Sequence, residues 1–407
     1  MLILTANFTK TIPTSVYIHI PFCRRRCYYC DFPISVVGDK GGKSASFMVE
    51  EYLAALIKDI QSTPTTRHPV KTIFFGGGTP SLLSPSELSS IIQTIALQYG
   101  ITSDAEISME IDPGTFNRDR LQGYLDAGLN RFSLGVQTFD RELLKVCGRS
   151  HTLDDVTEAV NIIQQLKVKN FSLDLITGLP HQTLEHCKAS LEQAIAIAPK
   201  HLSCYDLVLE PVTAFGKQYQ PGETPFPDDD DTAEMYRLTR QTLTAAGYQH
   251  YEVSNYSQPG YQCRHNRVYW ENKPYYGFGM GAASYVNGKR FTRPRTRREY
   301  YNWLNTGAVI DAPEMTSTDY LLETLMLGLR LAEGINTAQF EPDILQKIWQ
   351  CLQPYYCQGW IEVLNGDRQL LKSDKIDLSS VTKIRFNDPE GFLFSNTILA
   401  TLFEKLE

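Results

Sequence analysis

The 407-residue sequence has no long apolar run, no excess of basic residues and no evenly paired set of cysteines. No segment reaches the roughly 20 apolar residues that a membrane-spanning helix needs. The opening MLILTANFTK is too short an apolar stretch for a secretory signal. A net charge of -7 argues against general nucleic-acid binding, because phosphate affinity depends on an excess of Lys and Arg. These absences predict a globular protein of the cytosol that spans no membrane and binds no nucleic acid.

The nine cysteines do not suggest a disulfide framework, because their number is odd and three lie together in CRRRCYYCDF, residues 23–32. In a reducing compartment such clustering is typical of metal or redox chemistry. A structural zinc site needs four protein ligands, and no second Cys or His pair follows here. His19 belongs to the predicted strand YIHIPF and is better explained as a core or supporting histidine. Cys23, Cys27 and Cys30 therefore indicate a metal centre with one open position, such as a [4Fe-4S] cluster held by three cysteines.

Short apolar runs alternate with helical patterns from residue 15 to about residue 255, which predicts repeated βα units. The near-continuous hydrophobicity of these runs is typical of a parallel sheet covered on both faces. Six units make either an open sheet or an incomplete barrel, and periodicity does not decide between them. In both, ligands gather at the carboxyl ends of the strands. The predicted strands are SVYIHI, VKTIFF, EISMEI, RFSLGV, FSLDLI and HLSCYDLVL.

The βα pattern predicts an α/β domain over residues 1–255, followed by an aromatic and Gly-rich region over 256–315 and a small helical and winged domain over 316–407. In the last region, STDYLLETLMLGLRLAEGI is predicted as an amphipathic helix, and ILQKIWQCLQPYYCQGWIEV as a helix leading into a strand. The stretch KRFTRPRTRR, residues 289–298, carries six cations. It is interpreted first as a solvated loop, and otherwise as a docking site for carboxylates or an anionic membrane surface.

The Cys-x3-Cys-x-aromatic-Cys motif, placed after a first strand and ahead of repeated βα units, resembles the radical S-adenosylmethionine proteins. The resemblance implies a partial (β/α)6 barrel with a [4Fe-4S] cluster on Cys23, Cys27 and Cys30. It also implies that the remaining iron binds the amino and carboxylate groups of S-adenosylmethionine, which an electron from the cluster can cleave to a 5′-deoxyadenosyl radical. Thiolates suit this role because soft ligands hold iron-sulfur clusters.

Polar residues end or follow several predicted strands, as a cofactor site at the strand ends requires. The glycines of FFGGGTPS allow close backbone approach to a ligand, although a tight turn explains them equally well. A bound zwitterion with ribose hydroxyls would partner several charged groups at once, whereas an internal salt-bridge network would account for one or two. Arg149 suits the carboxylate, Asp174 and Gln137 the ribose, and Glu110 the amino end. The residues expected at the S-adenosylmethionine site are Tyr17, Tyr29, Gly77, Gly78, Thr79, Glu110, Gln137, Arg149 and Asp174.

Six segments together resemble one branch of these proteins, the oxygen-independent coproporphyrinogen III oxidases and the HemW-type haem chaperones. The oxidases carry a fourth cysteine two residues after the third, where this chain has Phe32, and a longer segment ahead of the motif. The segments are YIHIPFC, GGGTPS, SMEIDPGTF, RFSLGVQTFD, LDLITGLPHQ and EVSNY.

The segment HNRVYW resembles the motif associated with haem binding in the chaperones. An imidazole can ligate haem iron, while Tyr269 and Trp270 supply flat apolar area. Without the resemblance, His265 is better explained as a hydrogen-bonded loop histidine, and Cys263 is an alternative ligand. The residues expected to contact haem are His265, Asn266, Tyr269 and Trp270.

The resemblance implies a haem chaperone that holds a cluster and S-adenosylmethionine and hands haem to apo-haemoproteins such as respiratory cytochromes. The alternative is an enzyme that oxidatively decarboxylates coproporphyrinogen III, beginning with hydrogen abstraction by the adenosyl radical. A third interpretation is a zinc-stabilised binding module without iron. In the first case, Arg295 and Arg297 of the basic stretch are candidate partners of the haem propionates.

Overall fold

A computed structural model describes residues 12–39, 43–65, 68–373 and 375–406. The strands are β1 (Ser15–Ile20), β2 (Phe22–Cys23), β3 (Ser35–Val36), β4 (Val70–Gly77), β5 (Ile101–Ile111), β6 (Arg131–Gln137), β7 (Phe171–Thr177), β8 (His201–Asp206), β9 (Gln249–Glu252), β10 (Asn255–Ser257), β11 (Tyr276–Phe278), β12 (Ala283–Val286), β13 (Lys289–Thr292), β14 (Ile335–Asn336), β15 (Ile361–Leu364) and β16 (Lys383–Phe386). The helices are α1 (Lys43–Ser62), α2 (Pro85–Tyr99), α3 (Arg118–Asp126), α4 (Arg141–Val146), α5 (Leu153–Gln165), α6 (Leu184–Ile197), α7 (Ala214–Gln218), α8 (Asp229–Ala245), α9 (Arg264–Trp270), α10 (Arg297–Asn305), α11 (Ser317–Gly328), α12 (Pro342–Cys357), α13 (Glu390–Leu393) and α14 (Ser395–Leu406). No helix in the described ranges is long and apolar enough to cross a membrane.

A nine-stranded sheet in the order β11-β1-β4-β5-β6-β7-β8-β10-β9 organises most of the chain. Neighbours from β11 to β8 are parallel, and β10 runs antiparallel to both β8 and β9. Across the described residues the sheet has two free edges and does not close on itself. The predicted α/β fold with six parallel strands is confirmed, and the sixth strand ends earlier than predicted, at Asp206.

The two faces of the sheet differ in polarity. On β5, Ile107 and Met109 join the apolar core with residues of the surrounding helices, whereas Ser108 and Glu110 belong to the opposite face. The other central strands repeat this alternation, so the strands are not apolar on both faces as their composition predicts. The inner face therefore carries polar side chains that a ligand can contact.

The carboxyl-terminal part has its own apolar core. The three-stranded sheet β14-β16-β15 packs with helices α11, α12 and α14 around residues such as Leu325, Ile348 and Leu402. The predicted helix from Ser317 ends at Gly328, because the following segment pairs with β9 instead: the Ala332 amide donates to the carbonyl of Tyr251 at 3.0 Å. The predicted helical C-terminal domain is thus present. Its boundary at residue 316 and the boundary at 255 stay predictions.

The aromatic and Gly-rich region contributes β11 to the edge of the large sheet and forms the β12-β13 hairpin. The basic stretch that follows is not a solvated loop throughout, because its first residues form β13. Arg293 is 2% exposed and its Nε lies 2.7 Å from the carboxylate of Asp59. Arg290 pairs with Glu323 at 2.7 Å. Arg295 and Arg298 remain exposed at the start of α10. The basic stretch, predicted as a docking site for carboxylates, therefore has fewer free charges than its composition indicates.

Candidate cluster and cofactor site

The three clustered cysteines follow β1 at the carboxyl end of the sheet: Cys23 ends β2, and Cys27 and Cys30 lie in the loop between β2 and β3. All three thiols are free and partly exposed. The loop is held by the Arg26 guanidinium, which donates to the Cys30 carbonyl at 3.1 Å and to the Phe32 carbonyl at 3.2 Å. The Cys30 amide donates to the Cys27 carbonyl at 3.2 Å. Local hydrogen bonds therefore present three thiols on one short loop.

One cavity at this loop brings together the cysteines and most of the residues expected at the cofactor site. Tyr17 is the exception, because it does not line the cavity; its hydroxyl is 3.1 Å from the Nδ1 atom of His19. The predicted residues that line the cavity are Cys23, Cys27, Tyr29, Cys30, Gly77, Gly78, Thr79, Glu110, Gln137, Arg149 and Asp174.

Glycine is required by backbone geometry at Gly77, the last residue of β4, and at Gly78, which follows it. Gly77 has a φ of 110°, a conformation that other residues rarely adopt. A Cβ atom on Gly78 would lie 2.7 Å from the carbonyl oxygen of Phe22. The Gly77 amide donates to the carboxylate of Glu110 at 3.0 Å. Backbone geometry therefore favours glycine at both positions, and the same two residues line the cavity.

Two partly buried carboxyl groups, those of Glu110 and Asp174, line the cavity and interact through their charges. Burial, followed by the charge of Asp174, raises the pKa of Glu110 to about 8, although the Gly77 amide opposes the shift. Burial also raises the pKa of Asp174, which accepts hydrogen bonds from Ser133 and Ser172 at 2.8 and 3.2 Å. A cationic or hydroxyl-bearing ligand would relieve this crowding of acids.

Arg149 is buried at the other side of the cavity, with its side chain 8% exposed. Its guanidinium lies 2.6 Å from the carboxylate of Asp112, and 3.5 Å from both the Sγ atom of Cys27 and the hydroxyl of Tyr29. Its Nε atom is buried and has no hydrogen-bond partner among the described residues. Arg149 thus has an unsatisfied donor next to the cysteine loop.

Sequence reasoning missed several residues of this cavity. Asp112 follows Glu110 by two positions, so the strand-end rule that selected Glu110 also applied to it. Ser133 was hidden inside an apolar run, and only the inward alternation of β6 reveals it. Tyr205, on β8, lines the cavity 31 positions after Asp174, and as an aromatic residue inside a predicted strand it was not selected as a site residue.

The haem motif forms α9, which packs against β4 and does not line the cavity. His265 is fully buried, and its ring nitrogens lie 2.9 Å from the Thr72 hydroxyl and 2.8 Å from the Tyr269 hydroxyl. Its ring stacks on Phe74 at 5.3 Å, and burial lowers its pKa to about 3. In this conformation the imidazole has no free nitrogen for iron.

The remaining members of the motif are less enclosed than His265. Asn266, Tyr269 and Trp270 are partly exposed, and they stay predicted haem contacts. The alternative ligand, Cys263, is buried, with its Sγ atom 3.7 Å from the carboxylate of Glu106. Burial raises the pKa of Cys263 to about 12, which disfavours the thiolate that a metal requires.

The donor set of the cavity fits an iron-sulfur cluster and a zwitterionic cofactor. Within the described residues, no three His, Cys, Asp or Glu side chains converge closely enough to hold a single metal ion. Burial raises the pKa of Cys23 to about 12 and also raises that of Cys30, so a bound metal is needed to stabilise their thiolates. Three soft sulfur ligands, the unpaired Nε of Arg149 and the acidic group of Glu110 match the chemical groups of the two cofactors.

Comparison with known proteins agrees with this chemistry. Residues 17–194 match the family described as the Radical SAM superfamily, and residues 315–367 match the HemN C-terminal domain. The heme chaperone HemW of Synechocystis sp. is 49% identical over 407 residues, 98% of each chain. The heme chaperone HemW of Escherichia coli is 39% identical over 333 residues, 81% of this chain and 86% of that one.

Among solved structures, the coproporphyrinogen III oxidase HemN of Escherichia coli, described as a radical SAM enzyme, has the same fold. Its TM-score is 0.79 at 21% identity, covering 98% of this chain and 91% of that one. The resemblance to the radical S-adenosylmethionine proteins and the HemW-type chaperones is therefore confirmed. The chain belongs to the radical SAM superfamily and, within it, to the HemW family.

Proposed function

We propose that the protein is a haem chaperone that binds haem and delivers it to apo-haemoproteins, respiratory cytochromes among them. The observation that carries the proposal is the 49% identity to a heme chaperone HemW across 98% of both chains. Phe32 agrees with it, because the coproporphyrinogen oxidases are expected to have a cysteine at this position. Haem, an apo-haemoprotein client and the two cofactors are then the partners of this chain, acting in the cytosol.

We further propose that Cys23, Cys27 and Cys30 hold a [4Fe-4S] cluster and that the adjoining cavity holds S-adenosylmethionine. When bound, these groups supply one-electron chemistry at the carboxyl end of the sheet. Arg149 would orient the cofactor carboxylate through its unsatisfied Nε donor, and Asp174 would accept hydrogen bonds from the ribose. The distances and burial given above support these roles.

Glu110 has a defined proton-transfer role in this proposal. Because the pKa of Glu110 is raised to about 8, the carboxyl is mostly neutral at pH 7 before any cofactor is bound. The amino group would bind iron as the neutral amine, and its remaining N–H groups would donate hydrogen bonds to Glu110. Such bonds favour the carboxylate, so binding of S-adenosylmethionine would release a proton from Glu110. The Gly77 amide, 3.0 Å from this carboxyl, holds it in place in both protonation states.

The cofactors also have a structural use in a chaperone. The cavity is lined by strand and loop residues from β2 through β8, so a ligand bound in it would contact several separate segments of the chain at once. A ligand that binds only this folded arrangement stabilises it. Cofactor binding is thus expected to order the carboxyl end of the sheet before haem is transferred.

One anaerobic experiment separates this proposal from the enzyme alternative. The cluster is reconstituted, and one sample is tested for haem binding by absorption, for transfer of haem to an apo-cytochrome and for turnover of coproporphyrinogen III. We expect stoichiometric haem binding and transfer without decarboxylated product. Product formation, or the absence of haem binding, would contradict the proposal.

A further inference from the structure

The cavity has an outer wall that the cluster and cofactor residues leave unused. It consists of Arg24, Arg25, Phe32, Ile34 and Tyr205, and we call it the mouth wall. Phe32 is 60% exposed and Tyr205 is 42% exposed, although both are large aromatic residues. Exposed aromatic side chains around the opening of a cavity are typical of a binding surface.

Cations accompany these aromatic residues. Within the described part of the chain, Arg24 has no hydrogen bond or ion pair, and Arg25 makes only an exposed pair with Asp39 at 2.9 Å. Such an exposed pair is easily exchanged for another anion. Arg295 belongs to the basic stretch and donates to the Asp31 carbonyl at 2.8 Å, which places it beside the same loop. The mouth wall therefore combines exposed aromatic side chains with one unpaired and one weakly paired cation, in a chain with a net charge of -7.

The predicted haem motif offers a different environment. Both ring nitrogens of His265 are already hydrogen-bonded, to Thr72 and Tyr269. Two cations of the basic stretch, Arg290 in β13 and Arg293 just after it, are paired with Glu323 and Asp59. A flat apolar molecule with carboxylate side chains finds free aromatic and cationic partners at the mouth wall rather than at α9.

We propose that the mouth wall is the docking site of a carboxylate-bearing tetrapyrrole, which it recognises by the ring face and the propionates rather than by the iron. Phe32, Ile34 and Tyr205 contact the macrocycle, while Arg24 and Arg25 bind the propionates. This inference rests on the proposed function, in which haem is the cargo. It places the cargo at the opening of the cofactor cavity.

Metal-free protoporphyrin IX tests this recognition directly, because it lacks the iron that a histidine would ligate. Its binding to the full-length, cluster-loaded chain is followed by porphyrin fluorescence and compared with haem binding. We expect its affinity to lie within about threefold of that of haem, and the dimethyl ester, which lacks free carboxylates, to bind about tenfold more weakly. Binding of haem without binding of protoporphyrin IX would overturn the inference.

Variants then locate the site. We expect two variants each to weaken haem binding about tenfold, with unchanged iron content. One is Phe32→Ser, and the other is the double variant that combines Arg24→Glu with Arg25→Glu. The matched controls are Phe47→Ser, equally exposed on α1, and Lys71→Glu with Lys169→Glu, near the amino ends of β4 and β7. These controls should bind haem as the wild type does.

His265→Gln keeps a hydrogen-bonding side chain at α9 and should leave haem affinity unchanged. If His265→Gln abolishes haem binding while the mouth-wall variants retain it, the docking site is wrong but the proposed function stands. If the wild-type chain binds no haem, the proposed function itself fails. The two failures are therefore distinguishable in one set of titrations.

Discussion

The sequence predicts a ligand at two places, the cluster cavity and helix α9, and their surroundings differ. In the cavity, the Nε atom of Arg149 is buried without a hydrogen-bond partner in the described residues, and Glu110 lies beside the charge of Asp174. At α9, both nitrogens of His265 are hydrogen-bonded within the protein. Unsatisfied polar groups cost free energy that a ligand can recover. The comparison separates polar groups suited to a ligand from polar groups that stabilise the fold.

The largest effect is expected from removing one cluster thiol. Cys27→Ser replaces a soft ligand by a hydroxyl, so we expect the chain to lose essentially all of its cluster iron after anaerobic reconstitution. Iron analysis and the visible absorption spectrum measure the loss. Cys357→Ser, at an exposed cysteine far along the chain, is the control and should retain wild-type iron content. Full iron in Cys27→Ser would show that the cavity is not the cluster site.

The pH dependence of the free energy of unfolding tests whether Glu110 in the cavity has the raised pKa. The folded pKa of Glu110, about 8, lies above its ordinary value of 4.5, so between these values the folded ligand-free chain holds a proton that the unfolded chain has released. The contribution of Glu110 to the free energy of unfolding is therefore full below pH 4.5 and declines as the pH rises towards 8. The decline approaches about 1.4 kcal/mol per pH unit in that window.

Glu110→Gln removes this titration and should flatten the profile measured by urea denaturation. Glu158→Gln, an exposed residue of α5, is the control and should follow the wild-type profile. Identical slopes for the wild type and Glu110→Gln would contradict the raised pKa.

The free donor of Arg149 is expected to contribute to cofactor affinity. Arg149→Lys keeps the charge but lacks the planar pair of donors, so we expect S-adenosylmethionine to bind roughly 10- to 100-fold more weakly, from a loss of about 1.5–3 kcal/mol. Isothermal titration calorimetry of the cluster-loaded chain measures this affinity. Arg118→Lys, at an exposed position of α3, should bind the cofactor normally. If Arg149→Lys bound S-adenosylmethionine with unchanged affinity, Arg149 would serve only the ion pair with Asp112 and not the cofactor.

The smallest effect is expected at α9, and it should be on stability alone. His265→Leu leaves the hydroxyls of Thr72 and Tyr269 without a partner, which should lower the free energy of unfolding by about 1–3 kcal/mol. His265→Gln should recover part of the loss, because its amide can reach one hydroxyl. Iron content and cofactor affinity should be unaffected. A variant of full stability that has lost haem would reverse the comparison between the two regions.

The sequence predicts much of the cavity because of one general rule, that polar residues at the carboxyl ends of parallel strands meet at one edge of a sheet. Glu110, Gln137 and Asp174 follow from it. The rule does not find Ser133, which sits within a strand, and it does not say that Arg149 pairs with Asp112. Those depend on the inward alternation of each strand and on side-chain packing between loops.

The burial of His265 was not predictable from HNRVYW, because the motif is polar and lies between two regions without regular pattern. Only the packing of α9 against β4 buries its first turn. The ion pair of Arg293 with Asp59 has the same origin, since it joins residues 234 positions apart. Long-range contacts of this kind decide whether a polar residue is free or already partnered, and local sequence does not record them.

The most direct test of the central claim is electron paramagnetic resonance of the reduced, iron-loaded chain, recorded with and without S-adenosylmethionine. If Cys23, Cys27 and Cys30 hold a cluster with one open position next to Arg149 and Glu110, the cofactor changes the spectrum saturably, at one equivalent per cluster. A spectrum that does not respond to the cofactor, or a chain that retains no iron under anaerobic conditions, would contradict the account.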